Sequence, residues 1–162
     1  MRKFNKAFIN DCYYSDPNIY TDDRGLFLET YRASEFTDFL PSQTNCSISK
    51  KGTIRGIHRT PYAKLVTCVK GKIYDVCIDL RPDSKTYNQY FGIHLDDISF
   101  QSLYIPPYCG HAFFAIEDSI VIYHQEAEYN PSNDETYCYC NYNIKWPSEP
   151  LYISEKDHNV CE

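Results

Sequence analysis

Between residues 65 and 123 short runs of β-branched and aromatic residues alternate with turn signals. The runs are Leu65–Val69, Ile73–Leu80, Tyr90–Leu95, Ser102–Ile105, His111–Ile116 and Ile120–Tyr123. The breakers between them are Lys70-Gly71-Lys72, Arg81-Pro82-Asp83-Ser84, Asp96-Asp97, Pro106-Pro107 and Glu117-Asp118-Ser119. Strands of this length, recurring about every ten residues, predict an all-β sandwich or barrel. Within Ile73–Leu80, alternation puts Tyr74, Val76, Ile78 and Leu80 on one apolar face. Ile73, Asp75, Cys77 and Asp79 share the other, which is expected to line a polar cavity or to meet solvent.

One helix is predicted, over Ala33–Leu40, with Ser34 as N-cap, Phe36, Phe39 and Leu40 on one face, and Pro41 ending it. From Trp146-Pro147 onward a second proline, Pro150, suggests a tail that packs over the barrel along an irregular path. No internal repeat or low-complexity linker interrupts the chain. At 162 residues, 43% of them apolar, it is expected to form a single domain over 1–162 with a core of its own.

Charge narrows the partners. A net charge of -6 leaves no basic excess to displace counterions from phosphates, which argues against a general nucleic-acid binder. Any anionic ligand must then be held by a few local cations. No apolar run approaches the ~18 residues of a membrane span. The opening MRKFNKAFINDCYYSDP lacks the apolar stretch of a signal peptide. A soluble, cytoplasmic protein with no membrane partner is expected.

The eight cysteines, at positions 12, 46, 68, 77, 109, 138, 140 and 161, contain no CxxC. The close pair Cys138-Tyr139-Cys140 has period two, which in a strand puts both side chains on one face and suits packing better than tetrahedral ligation. Free, mostly buried thiols are expected.

Candidate chemistry is densest in Lys50-Lys51-Gly52-Thr53-Ile54-Arg55-Gly56-Ile57-His58. If this segment is extended, Arg55 and Ile57 share one face and Gly56 and His58 the other, although a bulge at Gly56 would change that. His111 enters a strand after the rigid turn Pro106-Pro107-Tyr108-Cys109-Gly110, and Tyr123 ends the run Ile120-Val121-Ile122. No HxH or HExxH occurs, and His94 and His124 stand without a histidine two residues on, so metal-independent chemistry is favoured.

Taken in order, these fragments resemble the dTDP-4-dehydrorhamnose 3,5-epimerase family of sugar-nucleotide epimerases. The resemblance runs from about Tyr20 to Asp157. It rests on Asp23-Arg24-Gly25-Leu26-Phe27-Leu28-Glu29, Gln43-Thr44-Asn45, the Ser49–His58 run, Lys64-Leu65-Val66 and Gly71-Lys72-Ile73-Tyr74-Asp75-Val76. It continues through Ile105-Pro106-Pro107, Gly110-His111-Ala112-Phe113, Tyr123, Tyr129-Asn130-Pro131, Ile144-Lys145-Trp146-Pro147 and Ser154-Glu155-Lys156-Asp157. It implies an all-β, cupin-type jelly-roll barrel with few short helices, and an isomerase that uses no metal and no cofactor.

By the same resemblance His58 would remove a proton α to a C4 keto group of a nucleotide-linked 6-deoxy sugar, and Tyr123 would return one from the opposite ring face. A sugar C–H becomes acidic only when its carbanion delocalises into an adjacent carbonyl, and a base titrating near neutrality suits that step. The enolate oxygen needs a cation already in place, for which Lys64 is the candidate. The family partners its base with a carboxylate; Asp157 is the first candidate and Asp75 the second. Arg24 and Arg55 would meet diphosphate or sugar. Glu29, Gln43 and Asn45 would hydrogen-bond nucleotide or sugar, His111 the sugar, Tyr129 would stack on the base, and Lys156 joins the binding set.

The departures bear on substrate. The connection Arg59-Thr60-Pro61-Tyr62-Ala63 is shorter than usual, and His124 follows Tyr123 where a lysine is common. The expected substrate is a nucleotide-diphosphate 4-keto sugar of the dTDP- or UDP-4-keto-6-deoxyglucose type, used in rhamnose-like deoxysugar synthesis. Alternatives are a cupin ketoisomerase moving the carbonyl between C4 and C3, a C3-only epimerase on a GDP-4-keto heptose, and a sugar-nucleotide-binding cupin without activity. A homodimer is also implied, for which Tyr13, Tyr14, Ile19 and Tyr20 offer apolar surface.

Overall fold

Alternating apolar side chains need a sheet buried on at least one face, and this chain builds two that face each other. In the computed structural model, which describes residues 2–162, the strands are β1 (Lys3–Lys6), β2 (Tyr13–Asp16), β3 (Ile19–Asp22), β4 (Gly25–Leu28), β5 (Gln43–Ser49), β6 (Ile54–Arg59) and β7 (Lys64–Lys70). They continue with β8 (Lys72–Asp79), β9 (Tyr90–Asp96), β10 (Ser102–Ile105), β11 (Cys109–Ala115), β12 (Ser119–Gln125) and β13 (Glu135–Thr136). All six predicted strands are present, most of them extended at one or both ends by a polar residue or two.

One sheet runs β1-β2-β10-β7-β12-β5, the second β13-β6-β11-β8-β9, and β3-β4 form a separate hairpin. The pairings are antiparallel. The main core lies between the sheets: Val66, Leu103 and Val121 from the first pack against Ile73, Cys77, Leu95 and Phe113 from the second. Two facing antiparallel sheets wound this way form a jelly roll, as the resemblance implies.

The two faces of β8 separate as alternation predicts, but neither meets solvent. Val76, Ile78 and Leu80 point outward under a cover of Tyr137, Tyr142, Ile144 and Trp146 from the tail. Asp75 and Asp79, on the inner face, are both fully buried. From Trp146 onward the tail does follow an irregular path, with no strand or helix before the short helix α1 (Glu155–Asn159), and it is preceded by 3-10 turns at Pro131–Asn133 and Asn141–Asn143.

Three expectations are corrected. The Ala33–Leu40 helix shrinks to a 3-10 turn at Ala33–Glu35, whose N-cap is Arg32 without a side-chain cap bond, so Ser34 caps nothing. A segment this short gains little from helix formation. Phe36 and Phe39 dock instead on the outer face of the first sheet with Ala63, Leu65 and Tyr104, leaving Leu40 70% exposed. The cysteines are not all free: Cys138 and Cys161 form a disulfide, because the tail brings their Cα atoms to 4.8 Å across 23 residues of sequence. Cys12, Cys68, Cys77 and Cys109 are buried thiols, whereas Cys46 and Cys140 are exposed. Cys138-Tyr139-Cys140 lies in a turn, not a strand, so the period-two argument does not govern it. Tyr13 and Tyr14, expected to offer apolar surface, are half-buried in β2, where Tyr13 stacks on Tyr104 at 4.4 Å and Tyr14 packs on the main core.

Candidate active site

A cavity of about 700 Å³ opens between the two sheets. The second sheet supplies one wall, where β6 and β11 are neighbours and His58 sits directly opposite His111 in register. Strict alternation would send Arg55 and His58 to opposite faces. The β6–β11 register shifts between His111 and Phe113, and both Arg55 and His58 line the cavity while Ile57 turns outward into the apolar cluster under the tail. The hinge of this bulge is Gly56, with φ 101°. A Cβ there would lie 2.4 Å from the His111 carbonyl oxygen, so only glycine fits.

His58 is held from behind by the tail. Ser154 caps α1, its Oγ accepting the Asp157 N–H at 3.1 Å, and this turn aims the Asp157 carboxylate at the imidazole. Asp157 Oδ1 lies 2.7 Å from His58 Nε2, and Oδ2 accepts the Gly56 N–H at 3.2 Å. Burial by itself would raise the Asp157 carboxyl, but the hydrogen bond and charge of His58, with the Gly56 and Ser154 bonds, hold it below the usual carboxylate range. An ionised partner on Nε2 selects the tautomer protonated there and leaves Nδ1 as the basic nitrogen.

Asp75 therefore does not serve His58. Its Oδ1 lies 2.6 Å from Nε2 of His111, making a second imidazole–carboxylate pair beside the first. Its Oδ2 is buried with no hydrogen-bond partner among the described residues.

The facing wall comes from the first sheet. Tyr123 on β12 and Lys64 at the start of β7 both line the cavity, with Cys46–Ser49 of β5 beside them. Burial raises the Tyr123 hydroxyl above its ordinary pKa, opposed in part by Arg55. Lys64 is only 7% exposed and makes no ion pair among the described residues; its ammonium lies over the Tyr62 ring, 6.0 Å from the centroid. Burial brings its pKa down to about 8, offset somewhat by Asp134. A buried ammonium without a counter-ion is costly unless a ligand supplies the negative charge.

The lining carries three cations, Lys50, Arg55 and Lys64, against the single carboxylate of Asp157, already engaged. In a protein of net charge -6 this is a local inversion of sign that suits an anion. Arg55 donates to Ser49 Oγ at 3.0 Å, which steadies the guanidinium at the wall.

Six of the expected residues line this cavity: His58, Lys64, Tyr123, Asp157, Arg55 and His111. The other six do not. Gln43, Asn45 and Tyr129 form a network close by, with Gln43 donating to Asn45 at 2.7 Å and accepting the Tyr129 N–H at 2.7 Å. Lys156 is bonded to Asp134 at 2.6 Å. Arg24 is at the tip of the β3–β4 hairpin, paired with Asp22 and 90% exposed at its side chain, and Glu29 pairs with Arg32. The sequence reading missed Lys50, which it had within the Ser49–His58 run, and Tyr152, which carries no local signal. Tyr152 reaches the wall because its backbone bridges to Thr53.

The chain as a whole has counterparts among known proteins. The sequence model of a family described as dTDP-4-dehydrorhamnose 3,5-epimerase matches residues 6–162. The enzyme of that name from Mycolicibacterium smegmatis is 40% identical over 87% of this chain and 76% of its own length. A dTDP-4-dehydrorhamnose 3-epimerase from Streptomyces niveus is 34% identical over 89% of this chain and 75% of its own. Among solved structures, a dTDP-6-deoxy-D-glucose-3,5-epimerase from Legionella pneumophila, in complex with dTDP-4-keto-L-rhamnose, superposes with a TM-score of 0.93. That match is 27% identical and covers 98% of this chain and 91% of the other.

Proposed function

This chain belongs to the dTDP-4-dehydrorhamnose 3,5-epimerase family, and from that premise we propose that it inverts C3 and C5 of a dTDP-linked 4-keto-6-deoxy sugar in the cavity between its sheets. Both carbons flank the C4 carbonyl, so one keto group acidifies both C–H bonds, and a single base can serve each in turn.

Nδ1 of His58 takes the proton, and the C–H bonding pair moves into the C4 carbonyl to give an enolate. Asp157 stabilises the imidazolium that results, and the Lys64 ammonium meets the enolate oxygen. Tyr123, on the opposite wall and kept protonated by burial, donates a proton to the other face of the carbon. Solvent then restores the phenol and removes the proton from His58. Arg55 and Lys50 are positioned for the diphosphate, and His111 for the sugar. Gln43, Asn45, Tyr129 and Lys156 would meet the nucleotide.

The observation that carries this reading is one cavity with an imidazole–carboxylate pair on one wall and, on the other, a phenol and an ammonium that makes no ion pair among the described residues. Proton NMR of dTDP-4-keto-6-deoxyglucose in D2O tests it. Wild-type protein should exchange the hydrogens at C3 and C5, and His58→Ala should slow both by about 10²–10⁴-fold. Tyr123→Phe should keep part of the exchange while impairing net inversion. Undiminished exchange in His58→Ala, or unchanged product from Tyr123→Phe, removes the corresponding assignment.

A further inference from the structure

Three sulfurs converge outside the catalytic cavity. Cys138, Cys140 and Cys161 place their Sγ atoms within 4.8 Å of one another, the one such group of potential metal ligands found among the described residues. Cys138 is buried while Cys140 and Cys161 are exposed, so the cluster has an open side. The other thiols are elsewhere, Cys12, Cys68, Cys77 and Cys109 in the interior and Cys46 at the cavity wall.

We propose that this trio, once the Cys138–Cys161 disulfide is reduced, is a binding site for one thiophilic d¹⁰ cation, with Zn²⁺ as the first candidate. Three thiolates and a water complete the tetrahedron this ion takes. Thiolates on tetrahedral zinc stand about 3.8 Å apart, a spacing that sulfurs already within 4.8 Å of each other reach by side-chain rotation. Cys140 also directs its backbone N–H at Cys138 Sγ, 3.4 Å away, and a hydrogen bond of this kind steadies a ligating thiolate.

The disulfide and the metal are alternative occupants of the same three side chains. A dithiol reductant transfers two electrons and two protons to the Cys138–Cys161 bond and is itself oxidised to a disulfide. The three thiols then lose three protons as the cation binds, so loading strengthens with pH.

Both occupants join the same two segments. Tyr137, next to Cys138, exchanges backbone hydrogen bonds with Ile57 at 2.9 and 3.3 Å, and Thr136 pairs with His58. Cys161 follows two residues after α1, whose Asp157 faces that same histidine. A bridge at the trio thus clamps the strand beside His58 to the helix that carries its carboxylate. The metal site itself stands whether or not the proton-transfer roles assigned above do.

The test uses the full chain, reduced with dithiol, desalted without oxygen and titrated with Co²⁺ and then Zn²⁺. One equivalent of Co²⁺ should develop a near-ultraviolet thiolate-to-cobalt charge-transfer band, and one equivalent of Zn²⁺ should abolish it. Zinc should raise the thermal midpoint of the reduced protein, and the oxidised protein should take up neither metal at this site. Cys140→Ser, which leaves the disulfide able to form and so reports on folding, should weaken uptake at least tenfold, whereas Cys46→Ser should leave it unchanged. Absence of the band at stoichiometric metal, uptake indifferent to Cys140→Ser, or a disulfide that dithiol opens only on unfolding would each overturn the proposal.

Discussion

Lys64 and Asp157 show how the surroundings of single side chains decide what they do. With its pKa brought down to about 8 by burial, Lys64 is charged below that value and neutral above it. An enolate-stabilising role then predicts that kcat/KM, which reports the free enzyme, falls as pH rises through about 8. A bound anion favours the ammonium, so the same limb on kcat should lie at higher pH. Tyr123 shifts in the opposite direction, upward, and keeps its proton over this range. Replacing Lys64 with Met should lower kcat/KM by about 10²–10³-fold and remove the alkaline limb, which a pH–rate profile reads directly. At Asp157, substitution by Asn offers an N–H donor to Nε2 and so favours the tautomer that carries its proton on Nδ1, where the base is needed. Exchange in D2O should drop by about 10²-fold or more, while dTDP binding, measured by calorimetry, should change little. Arg55 and His58 were recognisable in the sequence from their spacing around Gly56. That both face the cavity was not, because alternation fails where the β6–β11 register shifts.

At the scale of elements, Asp79 shows how a strand end fixes a loop. It lies at the end of β8, fully buried, and accepts from Arg81 Nε at 2.9 Å, Ser84 Oγ at 2.5 Å and Thr86 Oγ1 at 2.6 Å. Burial on its own would raise this carboxyl, but the Arg81, Ser84 and Thr86 bonds outweigh that and hold it far below the usual carboxylate range. A carboxylate depressed in the folded state contributes stability that is complete above its unfolded pKa of about 3.9 and is lost as pH falls toward its folded value. Asp79→Ala should therefore cost about 3 kcal/mol at neutral pH, because it removes the acceptor shared by Arg81 Nε and two hydroxyls, leaving Arg81 only its contacts to Asp11 and the Asn10 carbonyl. The deficit should shrink on acidification, and urea denaturation at pH 7 and pH 3 measures both. The strands themselves were evident in the sequence because every second residue is constrained by the same core. The Ala33–Leu40 helix was misread for the complementary reason: Phe36 and Phe39 answer to the sheet they land on, not to their own spacing.

For the whole molecule, the β3–β4 hairpin leaves Ile19, Tyr20, Leu26 and Phe27 between 40% and 64% exposed, a concentration of apolar side chains that suits contact with a second copy of the chain. Such a contact would also give a role to Arg24 and Glu29, which do not line the cavity of their own chain. The expected outcome is a homodimer by sedimentation velocity, converted to monomer at the same concentration by Phe27→Asp. An unchanged sedimentation coefficient in that variant would place the interface elsewhere. Among the described residues no helix is long and apolar enough to cross a membrane.

What the sequence determined by itself was whatever repeats locally or is written in contiguous motifs: the strand period, the all-β class, and the side chains His58, Tyr123 and Lys64 that line the cavity. Tertiary structure decided which of them meet. Asp75 is taken up by His111 because β8 and β11 are paired neighbours, whereas Asp157 reaches His58 across 99 positions of sequence only because the tail covers the outer face of the second sheet and folds back at Ser154. The same route brings Cys161 to Cys138. Lys64 makes no ion pair among the described residues, its register partners across the sheet being Ile105 and Gln125 rather than carboxylates. Contacts between distant segments depend on the path of the whole chain, and no local pattern encodes that path.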